Sequence, residues 1–351
     1  MEHLRPGDPE RIGPYIVLGA LDPADGPRPP TELRHVARTA DDLRTVLAVT
    51  PRPGVDPVRW AVEAEGALRL SLPGLAPVTE TGGTAAAPWY VHPYLPVLPL
   101  PQALARHGGP LPEPTVRALG AALAGTLAAL HAEGRTHAGL SPTAVLLGAQ
   151  GPLLTSYGAV RAAAPDGEPR TDVPELDQAC MAPEQARGGR PRPSGDVFAL
   201  GAVLAYACCG HTVPERAELP EGLRALITAC LSRDPVKRPA AGEVGRALAP
   251  RHAGAATVLD GAADAGPPDT ATLAFGAAPV PADTSTLPFG AASASADQAT
   301  VAFGTADAGS APQGAGGSAP FPLPAVLVDA LVRDAAELLA AELPDPATAL
   351  D

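Results

Sequence analysis

The chain has 351 residues, enough for two domains or for one large domain with a tail; it is acidic, with a net charge of −13, and carries no basic stretch of the kind a nucleic-acid-binding face needs. Hydrophobic residues make up 46% of it but aromatics only 3%, and 44 prolines and 37 glycines keep long stretches out of regular structure. Residues 1–11 are polar and unlike a signal peptide, no run reaches about 18 apolar residues, and Cys180, Cys208, Cys209 and Cys230 lack metal-ligand spacing, so a cytoplasmic protein with reduced thiols, off the membrane, is expected.

Residues 12–20 read as a strand opened by a turn, and a proline-rich connection over 21–30 leads to a short strand at 33–38. Residues 57–70 carry apolar groups at helical spacing, and 77–78 and 89–91 suggest further strands. The first hundred residues therefore look like strands plus one helix. A long helix is expected from about 115 to 132, with Val116, Leu119, Leu123, Leu127 and Leu130 on its core stripe and Gly134 as its stop. Residues 196–209 are apolar all round, which marks a helix buried inside a lobe. Two more helices are expected over 222–232 and 240–248.

After residue 251 the chain changes character. Residues 252–320 are Ala, Gly, Pro, Ser, Thr and Asp with hardly any large apolar group. They cannot bury enough surface to offset ordering entropy, so disorder is expected there. Asp269-Thr-Ala-Thr-Leu-Ala-Phe-Gly276 recurs at 283–290 and 297–304 with a period of 14, too short and polar for a solenoid unit, so these look like repeated linear motifs. Residues 252–351 hold 12 of the 38 acidic residues and a single basic one, Arg333. A last amphipathic helix over 325–342 is expected to set Val328, Val332, Ala335 and Leu339 along one stripe.

Several motifs fall in an order that carries more information than any one of them. Ile12-Gly-Pro-Tyr15 opens the first strand, and Glu63 sits in the first helix. His137-Ala-Gly-Leu-Ser-Pro-Thr-Ala-Val-Leu-Leu147 is followed by Ser156-Tyr-Gly158. Met181-Ala-Pro-Glu-Gln-Ala186, Ser194-Gly-Asp-Val-Phe-Ala-Leu-Gly201 and Asp234-Pro-Val-Lys-Arg-Pro239 complete the series. Together they resemble the bacterial serine/threonine protein kinase catalytic domain, over residues 12–250. The resemblance implies an α+β, two-lobed protein-kinase-like fold: a small mainly-β lobe with one helix over 1–100 and a larger mainly-α lobe over 101–251. A disordered linker over 252–320 and a C-terminal helix segment over 321–351 would follow.

The same resemblance divides the residues into two groups. Glu184 would pair with Arg238 as a bidentate carboxylate–guanidinium contact. Asp196 would cap its helix and reach the loop that begins at His137. These are scaffold residues. The positions that do chemistry depart from the family pattern, which needs the charge of a triphosphate neutralised and an acceptor hydroxyl held in line. The glycine-loop positions become Asp22, Ala24 and Pro27, the nucleotide lysine falls near Arg38, and Glu63 matches the family's regulatory-helix glutamate. The catalytic base position is Gly139, the loop lysine Ser141, the second metal ligand Ala144 and the metal aspartate Ser156, just before Gly158. The chain contains no asparagine, and its one lysine, Lys237, belongs to the far end of the larger lobe.

These departures lead to the expectation of a pseudokinase, a kinase-fold protein without catalysis that acts as a signalling scaffold through protein binding. No metal or cofactor is expected, although ATP without magnesium is left open, with backbone groups near Tyr94 and Leu95 as the hinge that would meet adenine. The alternative is a divergent active kinase, which requires an acidic side chain near Ser156; Asp166 and Asp172 are the carboxylates considered. Thr272, Thr286 and Thr300 are each followed at +3 by phenylalanine, and Thr257 by Asp260. They are candidate phosphoacceptors, with a separate active kinase and an FHA-type phosphothreonine-binding module as expected partners.

Overall fold

The computed structural model describes residues 4, 7–22, 30–171, 173, 176–249 and 320–341. These lie in one compact unit, Met1–Arg251 with Ala319–Asp351; the second unit, His252–Ser318, lies outside the described residues. The repeats, Thr257, Thr272, Thr286, Thr300, Ala24, Pro27 and Asp172 fall outside them as well.

The small lobe runs β1 (Arg11–Ile12), β2 (Tyr15–Ala20), β3 (Glu32–Thr39), β4 (Thr45–Pro51), α1 (Pro57–Leu68), β5 (Glu80–Thr84) and β6 (Ala87–Pro93). The strands form one antiparallel sheet in the order β1-β2-β3-β4-β6-β5. Side chains alternate across a strand, so register decides which residues meet. Arg34 pairs with Val49, Val36 with Leu47, Val49 with Tyr90 and Leu47 with His92, which puts them on one face. Glu32 belongs to that face too. Tyr15, Val17, Ala37, Val46, Ala48, Trp89 and Val91 make a separate small core on the other. Asp56 caps α1 by accepting from the Val58 and Arg59 amides at 2.9 and 3.1 Å, and Pro57 begins it.

The larger lobe starts with β7 (Val97–Pro99), α2 (Leu100–His107) and α3 (Glu113–Ala132). Next come β8 (Val145–Gly148), β9 (Gly151–Leu154), α4 (Ala159–Ala163) and α5 (Pro183–Ala186), then α6 (Pro193–Cys209), α7 (Glu221–Cys230), α8 (Ala241–Leu248) and α9 (Ala325–Leu339). β7, β8 and β9 form a three-stranded sheet beneath the small lobe. The stripe of α3 from Val116 to Leu130 is fully buried in the main core, with Leu200, Val203 and Leu204 of α6 and Val244 and Leu248 of α8. α3 has 20 residues and, by length and hydropathy, could cross a membrane; half of that stretch is buried inside this fold.

Three expectations change. β4 and α2 are absent from the sequence reading, because short apolar runs beside prolines give neither period clearly. Residues 77–78 are a connection, and the strand lies just after them as β5. In α9 the inward stripe is Leu327, Ala330, Leu331 and Leu338, whereas Val328, Val332 and Leu339 are exposed. Both stripes have helical spacing; the inward one carries the longer side chains and thus more apolar area to bury.

Candidate active site

The loop from His137 and the segment from Thr155 are stitched together by backbone. Gly158 N–H donates to the His137 carbonyl at 2.8 Å, Val160 to Ala138 at 2.8 Å, and Thr155 to Ala144 at 2.9 Å. Asp196, at the start of α6, accepts from the His137 and Ala138 amides at 2.8 Å each and from His131 Nε2 at 2.9 Å. A buried carboxylate with three donors is fully satisfied, and it fixes the loop. Burial pushes His137 down to about 4, so its ring is a neutral packing group, edge-on to Tyr157 at 6.1 Å. Ala138 and Ser156 both have positive φ, 51° and 61°. Each such non-glycine residue costs of order 1–3 kcal/mol and persists only where its surroundings over-determine it.

The side chains on this frame are mostly spent on structure. Ser141 caps the short turn Pro142–Ala144, its hydroxyl accepting from Ala144 N–H at 3.3 Å. Ala144 is buried. A Cβ at Gly139 would run into the Ser156 carbonyl oxygen, and one at Gly158 into the Glu63 carboxylate. Glu63 pairs with Arg161 at 2.7 Å, tying α1 to α4. Arg161 also lies over the Tyr157 ring at 4.9 Å and donates to the Thr136 carbonyl at 3.2 Å.

Arg38 does not meet Glu63. It lies on β3, and its guanidinium goes to Asp42 at 2.7 Å and to the carbonyls of Leu338 and Ala341 at 2.9 and 3.0 Å. The strand that leads into α1 is β4, Thr-Val-Leu-Ala-Val-Thr-Pro, which holds no cation. Placing the lysine position near Arg38 thus followed from overlooking one strand. Leu95 lies on the exposed link between β6 and β7.

What fills the cleft between the lobes is a second pair from β3, which sequence reasoning missed. Arg34 is buried, paired with Asp22 at 2.7 Å from Nε, and donates to the Thr143 carbonyl at 2.8 Å and the Thr155 hydroxyl at 3.3 Å. Its guanidinium therefore sits between the neighbours of Ala144 and Ser156. Glu32 accepts from Trp60 Nε1 at 2.8 Å and from Tyr90 O–H at 3.1 Å, and the neighbouring Ser156 hydroxyl favours its charged form. Burial pushes the Glu32 carboxyl up, against the pull of those bonds and of Arg34. Asp166 is engaged elsewhere, with Arg170 at 3.1 Å. The carboxylate beside Ser156 is Glu32, which the pairing of β3 with β4 turns inward together with Arg34 and Val36. Behind it a cavity of about 10 Å³ remains, and about 20 Å³ over Gly139 and Ser141.

The scaffold pair stands across the lower lobe. Arg238 donates to both Glu184 oxygens at 2.6 and 2.9 Å, to the carbonyls of Ser232 and Ser194, and lies over Phe198 at 5.0 Å. Burial raises the Glu184 carboxyl, but the Arg238 bonds outweigh it and hold the group below its usual range.

No family model matches the chain. It is 32% identical over 271 residues to the probable serine/threonine-protein kinase PkwA of Thermomonospora curvata, spanning 72% of this chain and 36% of that protein. Over 293 residues it is 31% identical to the serine/threonine-protein kinase AfsK of Streptomyces coelicolor, spanning 77% of this chain and 36% of that one. The chain is a member of the bacterial serine/threonine protein kinase superfamily. Among solved structures it resembles the PknI kinase domain of Mycobacterium tuberculosis, with a TM-score of 0.52, 21% identity and coverage of 67% of this chain and 94% of that one. It also resembles an apo form of PpkA-294, with a TM-score of 0.55, 18% identity and coverage of 70% and 99%. These likenesses establish the two-lobed kinase fold.

The expectation of a chain without catalysis is overturned here: its relatives in this superfamily are named serine/threonine-protein kinases, and they point to an enzyme. The chain spans about a third of the length of these relatives. A kinase implies magnesium and ATP. Glu32 is one carboxylate of the type magnesium takes, and magnesium is often held by one or two carboxylates plus phosphates. The Arg34 guanidinium, however, fills the place between the two metal positions, and among the described residues no three His, Cys, Asp or Glu side chains group as a metal site. In this closed arrangement the residues do not fit a magnesium ion held in the family's way.

Proposed function

We propose that this chain is a divergent ATP-dependent serine/threonine protein kinase. The observation that carries it is the Glu32 carboxylate at Ser156, the acidic group that an active divergent member requires there, delivered from β3. The strained backbone at Ala138 and Ser156 and the Asp196 bonds support the same reading, since they keep the loop in one shape. Nucleotide use then requires the Arg34–Asp22 pair to open. The test is radiolabelled phosphate transfer to a generic serine/threonine protein substrate, with magnesium or manganese. Transfer is expected in the native chain and to fall in Glu32→Gln, which keeps the shape of the side chain and removes its negative charge. No transfer with either metal, or transfer indifferent to Glu32→Gln, overturns the proposal.

The tail threonines Thr257, Thr272, Thr286 and Thr300 are proposed as phosphoacceptors for a separate kinase, read by an FHA-type module through an Arg-lined pocket. The repeated threonine–phenylalanine spacing supports this. Mass spectrometry of protein from its native cell checks it, and unmodified peptides throughout would count against it.

A further inference from the structure

α9 lies against α2 and reaches the space between the lobes. Leu338, near its end, is buried among Leu21, Val36 and Leu47 of the small lobe and Leu146 of β8, with Tyr94 of the inter-lobe link against the same cluster. A flat, apolar base entering between the lobes beside that link needs this same apolar sandwich. Leu338 already occupies it.

The segment is held there by specific contacts. Arg38 donates to the Leu338 and Ala341 carbonyls, the C-terminal end of the helix, where a cation also complements the helix dipole. Arg106 pairs with Asp334 at 3.0 Å, and the Thr115 hydroxyl donates to the Pro322 carbonyl at 2.7 Å. Each anchor is a polar contact at one point of the segment, and the outer side of α9 is open, with Val332 65% and Leu339 84% exposed. Leu327, Ala330 and Leu331 of α9 also pack against the main core of the larger lobe, so lifting the helix uncovers apolar surface there, while α3, α6, α7 and α8 still hold the rest of that core between them.

We propose that residues 320–341 are an intramolecular gate on the nucleotide cleft: α9 bound in place keeps the purine base out, and nucleotide enters when α9 lifts away. This rests on the chain using ATP, as proposed above. It gives Arg38 a positioning role toward α9.

The test measures ATP binding by calorimetry on the full chain, with and without magnesium, alongside hydrogen exchange over 325–339. Leu338→Asp should release α9, speeding its exchange, and tighten ATP binding at least tenfold. Asp334→Lys, which sets like charge against Arg106 and leaves the apolar cluster intact, should act in the same direction and covers a folding failure of the first variant. In the native chain, saturating ATP should speed exchange over 325–339. Faster exchange in both variants with unchanged ATP affinity overturns the gate and leaves α9 a structural element. ATP binding that protects 325–339, or no ATP binding by any of the three chains, overturns it too. Tighter ATP binding without phosphate transfer supports the gate and sinks the catalytic reading; transfer at one rate with α9 held or released sinks the gate alone.

Discussion

A guanidinium buried between two lobes has to be neutralised and hydrogen-bonded where it stands, or its desolvation would outweigh anything it holds together. Arg34 meets both demands, with Asp22 for the charge and the Thr143 carbonyl and Thr155 hydroxyl for the remaining donors. It therefore joins the lobes directly. Arg34→Ala should cost about 3 kcal/mol, the loss seen when one partner of a buried pair is removed. Urea unfolding measures this; an unchanged midpoint would mean the pair contributes nothing. The Gly139 position behaves differently. Restoring an aspartate there looks like a route back to the family's base, but its Cβ would meet the Ser156 carbonyl oxygen. Gly139→Asp should thus lower stability by about 1–3 kcal/mol and gain no phosphate transfer. A gain in transfer would show that the loop moves freely. From sequence, the missing side chains at 139, 144 and 156 are visible by motif spacing. Glu32 and Arg34 are not, because a charged pair on the inner face of a strand follows no motif, and only the register with Val49 and Leu47 turns them into the cleft.

At the scale of elements, α6 shows how the larger lobe is readable. Its residues are apolar all round, and it packs centrally with Asp196 at one end and the Glu184–Arg238 pair beside it. The pair is legible because its two motifs each carry one half. Its geometry is bidentate, with Arg238 buried and stacked on Phe198. Arg238→Ala should cost about 3 kcal/mol and lower Tm by roughly 10 °C. A shift of a degree or less in calorimetry would place the stability of this lobe in its apolar core alone. The small lobe is harder to read. β4 is seven residues between Arg44 and Arg52, and without it the strand count slips, which is how the lysine position falls near Arg38. In α9 two apolar stripes run side by side, and periodicity cannot choose between them; the choice belongs to the surface offered by α2 and β8.

For the molecule as a whole, acid response follows from groups buried in both lobes. Burial, helped by the Arg34 charge, pushes His92 down to about 4, although the Pro77 carbonyl accepts from its ring. His137 is also pushed down to about 4 by burial, with Asp196 opposing and Arg161 and His131 adding to it. Both folded values lie below the unfolded one near 6.5, so the unfolded chain takes up protons first as pH falls. Stability is therefore fully present above about pH 6.5 and declines towards pH 4, by about 2 kcal/mol per histidine at pH 5. Glu184, held below its usual range by Arg238, adds a later loss as pH falls through its folded value. Glu32 works the other way: its raised carboxyl makes the folded state the better proton acceptor, so acid relieves part of its cost. His35, pushed down by burial as well, joins them, so three buried rings run against one raised carboxyl between pH 7 and 5. Tm should fall over that range. His92→Leu should make the fall shallower, having no proton to take up. A Tm that is level from pH 7 to 5 would mean that the buried rings protonate without cost, and that the lobes open to water more readily than this packing allows.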